Sequence, residues 1–343
     1  VVARDAGRRA ARDRAGGHGS GFGIERQAYR AARMPTRARG AVFVRTLAPR
    51  MPSTRLAAVP LVMALASLLG ACAAAMPAAN WEGRLRGDAV VLLGEVHDNA
   101  AQHRLRLAAL ERALDAGWRP AIVMEQFDRE RQVDMDRARR ERPLDAGYVI
   151  ELAGARGWDW DFYRPFVELA LRFRLPLVAG DLSNADTTKI VRGGLAAVFD
   201  DAGIVALGLD RTIEPAWQSV QEREIDAGHC HALPPSVWPR MARAQFARDA
   251  VLARALDDHA GQGAVLLAGN GHVRRDVGVP RWLRIEPDRV VSVAFLEDGD
   301  ETTPIAAFDA VVRTAPAERG DPCAAFAARE PPAAGASAPV DRR

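Results

Sequence analysis

The sequence predicts an α/β fold: a single domain with a largely parallel sheet flanked by helices, and a site at the C-terminal ends of the strands. Two observations predict it. The apolar runs "AVVLLG" (89–94), "PAIVME" (120–125), "LPLVAG" (175–180) and "GAVLLAG" (263–269) lack the polar alternation of a half-exposed strand, so each reads as a strand covered on both faces. Between them lie stretches with helical spacing, and strands alternating with helices argue for parallel crossovers.

Taken in order, Asn99 is placed to cap a helix that carries Leu107, Leu110 and Leu114 on one face and stops at Gly117. A second helix is expected over about 128–141. A third is expected over about 160–174, with Phe162, Phe166, Leu169 and Phe173 at helical spacing. The longest runs from Ser236 to about His259. The stretch "RVVSVAFLE" (289–297) reads as a last strand, at an edge of the sheet. Residues 327–343, rich in Pro and Ala, read as a disordered tail.

The 343 residues do not all belong to this domain. Residues 1–50 hold twelve basic and three acidic residues, a local charge of +9, which leaves −6 for the remainder of a chain whose total is +3. The high isoelectric point therefore belongs to the leading segment and gives no argument for a nucleic-acid partner. That segment reads as a mis-assigned or disordered extension. From Met51, "MPSTRLAAVPLVMALASLLGAC" has Arg55, an apolar run and small residues before Cys72, which is a secretory signal and not a spanning helix. Its "LGAC" ending resembles a bacterial lipobox, so Cys72 is expected to be lipidated and residues 51–72 to be the lipoprotein signal. Only Cys230 and Cys323 then remain, both in turn-like contexts. In an oxidising compartment they are expected to pair.

Each apolar run ends in ionisable residues: Glu95 and His97 after the first, Glu125 after the second, Asp181 after the third, His272 after the fourth. In open α/β sheets ligands bind outside the carboxyl ends of the strands. Three chemistries fit such a set. Histidines and carboxylates could hold a divalent metal and activate its water. Without metal, His97 or His272 could act as general base beside Glu95 or Glu125. The third is haem, which needs an apolar slot, an axial ligand and basic residues for its propionates. "GWDWDFYRPF" offers Tyr163 and Arg164 among aromatics, with Tyr148, His229 and His231 as other axial candidates. "GNG" (269–271) lacks the third glycine of a dinucleotide fingerprint, no Gly-x-Ser-x-Gly is present, and "GHCH" lacks the paired cysteines of covalent haem attachment.

Together, "LLGEVHDNAAQH", "IVMEQFDRERQ", "GWDWDFYRPF…ALRFRLPLVAGDLS", "HCHALP…MARAQFARDAVLARAL" and "LLAGNGHVRRDVGVPRWL" resemble the ChaN family of iron-regulated, haem-binding lipoproteins, within the Tiki/TraB/erythromycin-esterase superfamily. The resemblance implies an α/β domain over 81–326 in an outer-membrane lipoprotein of a Gram-negative bacterium, facing the periplasm or the cell surface. It implies haem as ligand, an outer-membrane haem or iron transport system as partner, and a homodimer that forms on haem binding. Tyr163, His97, His103 and Arg164 are the expected haem-binding residues. The superfamily's hydrolases imply the alternative, a periplasmic hydrolase with Glu95, His97, Glu125 and His272 as its catalytic set, with or without a divalent metal. The chain departs from the pattern after the third strand, where "AGDLSN" replaces an expected "AANLSR" and so exchanges an amide for Asp181.

Overall fold

A computed structural model describes residues 81–324. The signal segment, Cys72 and the C-terminal tail lie outside the described residues. Six strands, β1 (Val90–Leu93), β2 (Ala121–Asp128), β3 (Leu177–Asp181), β4 (Ala264–Leu267), β5 (Val290–Glu297) and β6 (Ala310–Thr314), form one sheet in the order β3-β2-β4-β1-β5-β6. Every pair is parallel.

Side chains alternate across a strand, and the core divides accordingly. Val91, Leu93, Ile122, Met124, Val265 and Leu267 pack with α1 (Ala100–Asp115), α3 (Ala146–Ala153) and α4 (Trp160–Arg172). Val90, Leu92, Val123, Ala264 and Leu266 pack on the opposite face with α7 (Pro215–Gly228) and α8 (Trp238–Asp257). A smaller cluster, including Ile190 of α5 (Asn184–Gly193), covers the outer side of α8. With both faces covered, the strands can be apolar throughout.

The chain moves outward from β1 to β2 and β3, then returns to insert β4 between β2 and β1. The segments leaving the adjacent strands β1 and β4 therefore depart to opposite faces. In open α/β sheets such a reversal is where ligands bind, beyond the C-terminal ends of the strands.

The helices expected after Asn99, over 160–174 and over 236–259 form as α1, α4 and α8. Asn99 caps α1, its Oδ1 accepting the amides of Ala101 (3.1 Å) and Gln102 (3.3 Å). Two expectations are corrected. The helix expected from 128 begins only at α2 (Gln132–Glu141), because β2 continues to Asp128. Its register with β3 shifts after Met124, so Glu125 stands where regular pairing stops. Strand β5 is not an edge: β6 pairs outside it. The segment "AVVRT" is short and half-exposed, and gave no apolar run to find.

After β6 the chain runs back along the strand ends as a strap. Arg319 pairs with Asp98 (2.7 Å) and Glu297 (2.5 Å). Cys323 then forms a disulfide with Cys230 beyond α7, with Cα atoms 5.7 Å apart.

Candidate functional site

Two groups of buried charges meet at the crevice between β1 and β4. The first gathers on the α1–α4 face around Glu95, which is only 1% exposed. Gly94 makes this turn feasible, since a Cβ there would lie 2.2 Å from the Asn270 side chain. One carboxylate oxygen of Glu95 pairs with Arg106 of α1. The other accepts the Tyr163 hydroxyl (2.5 Å) and the His97 Nδ1–H (2.7 Å).

Arg106 also donates to His103 Nδ1 (2.9 Å), and His103 Nε2–H donates to the His97 carbonyl (2.8 Å). Those partners require a neutral His103, and burial pushes its pKa down to about 4. The same burial lowers Arg106 to about 10, which leaves it charged at neutral pH, and raises the Tyr163 phenol above its ordinary range. Aromatic rings enclose the group: Phe162 stacks on His103 at 4.7 Å, and Trp158 meets His97 edge-on at 4.8 Å.

The second group lies on the α8 face. Glu125 accepts the Gly269 amide (2.8 Å) on one oxygen and Arg248 (2.9 Å) on the other. Arg248 also grips Asp181, with Nε 3.0 Å from Oδ1. His272 sits between two carboxylates, with Nδ1 2.6 Å from Asp249 and Nε2 3.4 Å from Glu125. Burial disfavours its charged form, but Glu125 and Asp249 outweigh that and raise its pKa well above the ordinary value. For Glu125, burial opposes ionisation, while the charges of His272, His97 and Arg248 hold its pKa well below the ordinary carboxylate value.

His97 is the junction between the groups. A Cβ on Gly269 would stand 3.1 Å from His97 Nε2 and 3.9 Å from the Glu125 carboxylate. His97 therefore lies against bare backbone, with a side chain 18% exposed. Its Nδ1–H is committed to Glu95. Among the described residues, no hydrogen bond engages its Nε2.

The structure thus brings Glu95, His97, Glu125, His272, His103 and Tyr163 together at one rim. Arg164 stands apart, its guanidinium near Gly147 at the start of α3. Tyr148 is engaged with Glu141 (2.5 Å) and His231 with Asp226 (2.7 Å), both away from the crevice. His229 lines a cavity of about 70 Å³ between α5, α7 and α8. The divalent-metal alternative finds no support: among the described residues no three His, Cys, Asp or Glu side chains are grouped to hold an ion.

Sequence reasoning missed Arg106, Arg248 and Asp249. Their signal was a charge on the apolar stripe of a helix. Arg106 falls in register with Gln102, Ala109 and Ala113, and Arg248 and Asp249 stand among buried Ala247, Ala250 and Val251.

Residues 82–283 match the family described as haem-binding uptake, Tiki superfamily, ChaN. No match was found among curated proteins. Among solved structures, ChaN of Campylobacter jejuni, described with cofacial haem binding, is 19% identical with a TM-score of 0.52, over 66% of this chain and 87% of its own. At that identity the likeness shows a shared fold. An erythromycin esterase in its open conformation is 14% identical with a TM-score of 0.35, over 63% of this chain and 72% of its own. A Bacillus cereus protein is 10% identical with a TM-score of 0.33, over 63% and 67%. Since the family match spans more than half of the sequence, the chain belongs to the ChaN family of the Tiki superfamily.

Proposed function

We propose that this protein captures haem at the rim between β1 and β4, with His97 Nε2 as the iron ligand. Family membership supports haem as the cargo. The observation that carries the ligand assignment is the Glu95–His97 pair. A carboxylate holding Nδ1–H fixes the tautomer, leaves the Nε2 lone pair to a ligand and makes it a stronger donor. Of the expected haem-binding residues, Tyr163 and His103 have their polar atoms committed to Glu95, Arg106 and the His97 carbonyl. The donor set fits haem, with an imidazole whose Nδ1–H is already held, an aromatic edge from Trp158 and a glycine beside Nε2. Hydrolysis has less support, because Glu125 is held ionised with both oxygens engaged and so is a weak base.

Titrating the protein with haemin tests the reading. A shifted Soret band at near-stoichiometric haemin is expected, lost in His97→Ala and kept in Tyr163→Phe. Absence of any shift in the wild-type protein would sink the haem reading, and loss only in Tyr163→Phe would move the ligand to the phenol. We further propose that lipidated Cys72 anchors the domain at the outer membrane, within a haem or iron uptake system, and that haem draws two copies together. Cys72→Ala should move the protein out of the membrane fraction, and sizing with and without haemin reads the dimer.

A further inference from the structure

The strap after β6 is held without an apolar anchor, since none of residues 315–324 is buried. Its hold on the domain is polar. The Ala315 carbonyl accepts the Asn99 side-chain amide (2.9 Å), the Ala317 amide donates to Glu297 (2.8 Å), and Arg319 pairs with Asp98 and Glu297. Asp98 and Asn99 directly follow His97, so the strap grips the loop that carries the proposed iron ligand. At its far end Cys323 is bonded to Cys230, in the turn after α7. That turn is strained: Cys230 and His231 have left-handed backbones, with φ of 56° and 58°, a conformation that residues with a Cβ avoid. Both cysteines are only half-buried, which leaves the bond within reach of a thiolate.

We propose that Cys230–Cys323 is a regulatory bond: a dithiol reductant opens it, the strap leaves the His97 loop, and haem is held less tightly. The affinity part rests on the haem reading above. One thiolate of the reductant attacks a sulfur of the bond, the S–S bond breaks, and the other cysteine leaves as a thiolate that takes a proton from water. The reductant's second thiolate then attacks its own partner sulfur in the mixed disulfide. This frees the second cysteine, which is protonated in turn, and closes the reductant's disulfide, so two electrons pass from the dithiol to the protein. With the bond closed, the strap is fixed at both ends. Once it is open, the strap is a tail fixed only at β6, and the entropy of that tail competes with the partly exposed ion pairs of Arg319. Relaxation of the strained turn favours the open form. Arg319 is a positioning residue, acting on His97 through Asp98.

The test reduces the full chain with dithiothreitol, blocks the thiols with iodoacetamide and removes both reagents. Oxidised protein treated with iodoacetamide alone is the control, so that Cys72 is blocked in both. Trypsin should cut after Arg319 at least about tenfold faster in the reduced form, because cleavage of a folded chain follows its local opening. The near-ultraviolet circular dichroism should stay that of the oxidised protein. Haemin affinity should fall about five- to tenfold, as expected if the His97 loop is competent for only about a tenth to a fifth of the time. The Soret position should hold, since Glu95 still accepts the His97 Nδ1–H. Arg319→Met in the oxidised protein should reproduce the weaker binding, and reducing that variant should weaken it no further. A bond with a merely structural role would leave the redox effect in place there. Equal cleavage rates in the two forms, or loss of the near-ultraviolet signal on reduction, overturn the inference. So does unchanged haemin affinity, which leaves haem capture standing. Absence of haemin binding by the oxidised protein removes the haem reading alone, and the cleavage rates then decide whether the bond controls the strap.

Discussion

The two sides of the crevice handle buried charge differently. On the α1–α4 side a single carboxylate, Glu95, faces a single guanidinium, Arg106, and the remaining hydrogen bonds come from neutral groups packed among aromatics. On the α8 side Glu125 faces both Arg248 and His272, while Arg248 also pairs with Asp181 and His272 with Asp249. The first arrangement orients a ligand atom, because everything converges on Glu95 and through it on His97. The second arrangement gives Glu125 two cationic neighbours where Glu95 has one guanidinium. The difference teaches that the cost of removing a cation depends on which carboxylates it serves.

The largest expected effects remove the guanidinium from a buried carboxylate. Arg106→Met leaves Glu95 buried and unpaired, which should cost about 3–5 kcal/mol in chemical denaturation. Arg248→Met should cost a similar amount, about 3–5 kcal/mol, because His272 still faces Glu125 but Asp181 loses the guanidinium it pairs with. A loss below about 1 kcal/mol in either variant would refute the pairing. Next comes the disulfide, which ties the end of the strap to α7 across a sequence separation of 93. Cys323→Ser should lower stability by about 2–4 kcal/mol without altering the charge networks.

The pH dependence sharpens the comparison further. His103 is neutral in the fold with a pKa of about 4, against 6.5 unfolded. The unfolded chain therefore binds its proton first, and stability should fall between pH 6.5 and about 4, by up to about 3 kcal/mol. Glu125, depressed in the fold, acts in the same direction: its contribution is present above the unfolded value of 4.5 and is lost as pH falls through the folded pKa. His272 acts oppositely. Its raised pKa contributes fully below 6.5 and is lost as pH rises through the folded pKa. Denaturation midpoints across pH 4–7 should show a flatter acid arm in His103→Gln, and an unchanged slope would refute the His103 assignment. The smallest effect concerns the junction. Gly269 has φ −61°, so alanine there is unstrained and acts only through contact with His97. Gly269→Ala should weaken haem binding several-fold, read by the Soret titration, while costing under about 1 kcal/mol of stability.

Much of this was legible before any coordinates. Glu95, His97, Glu125 and His272 announced themselves because polar residues directly after apolar strands stand out in the chain. The Cys230–Cys323 pair was legible for a similar reason, as two cysteines left over in turn-like segments. The partners of the site residues were not. Arg106 and Arg248 sit in long helices where an arginine is common and unremarked, and β6 has too few apolar residues to stand out from a loop.

By itself, then, the sequence determined the layered α/β architecture and which residues reach the rim, because burial on both faces and the period of two are local properties of each strand. Tertiary structure alone decided that β4 inserts beside β1, that Tyr163 and His103 are committed to Glu95 and the His97 carbonyl, and that Arg106 and Arg248 come to lie against the rim carboxylates. Those outcomes depend on which helix packs against which strand end. Charge pairing is a property of neighbours far apart in the chain, and no local pattern records it.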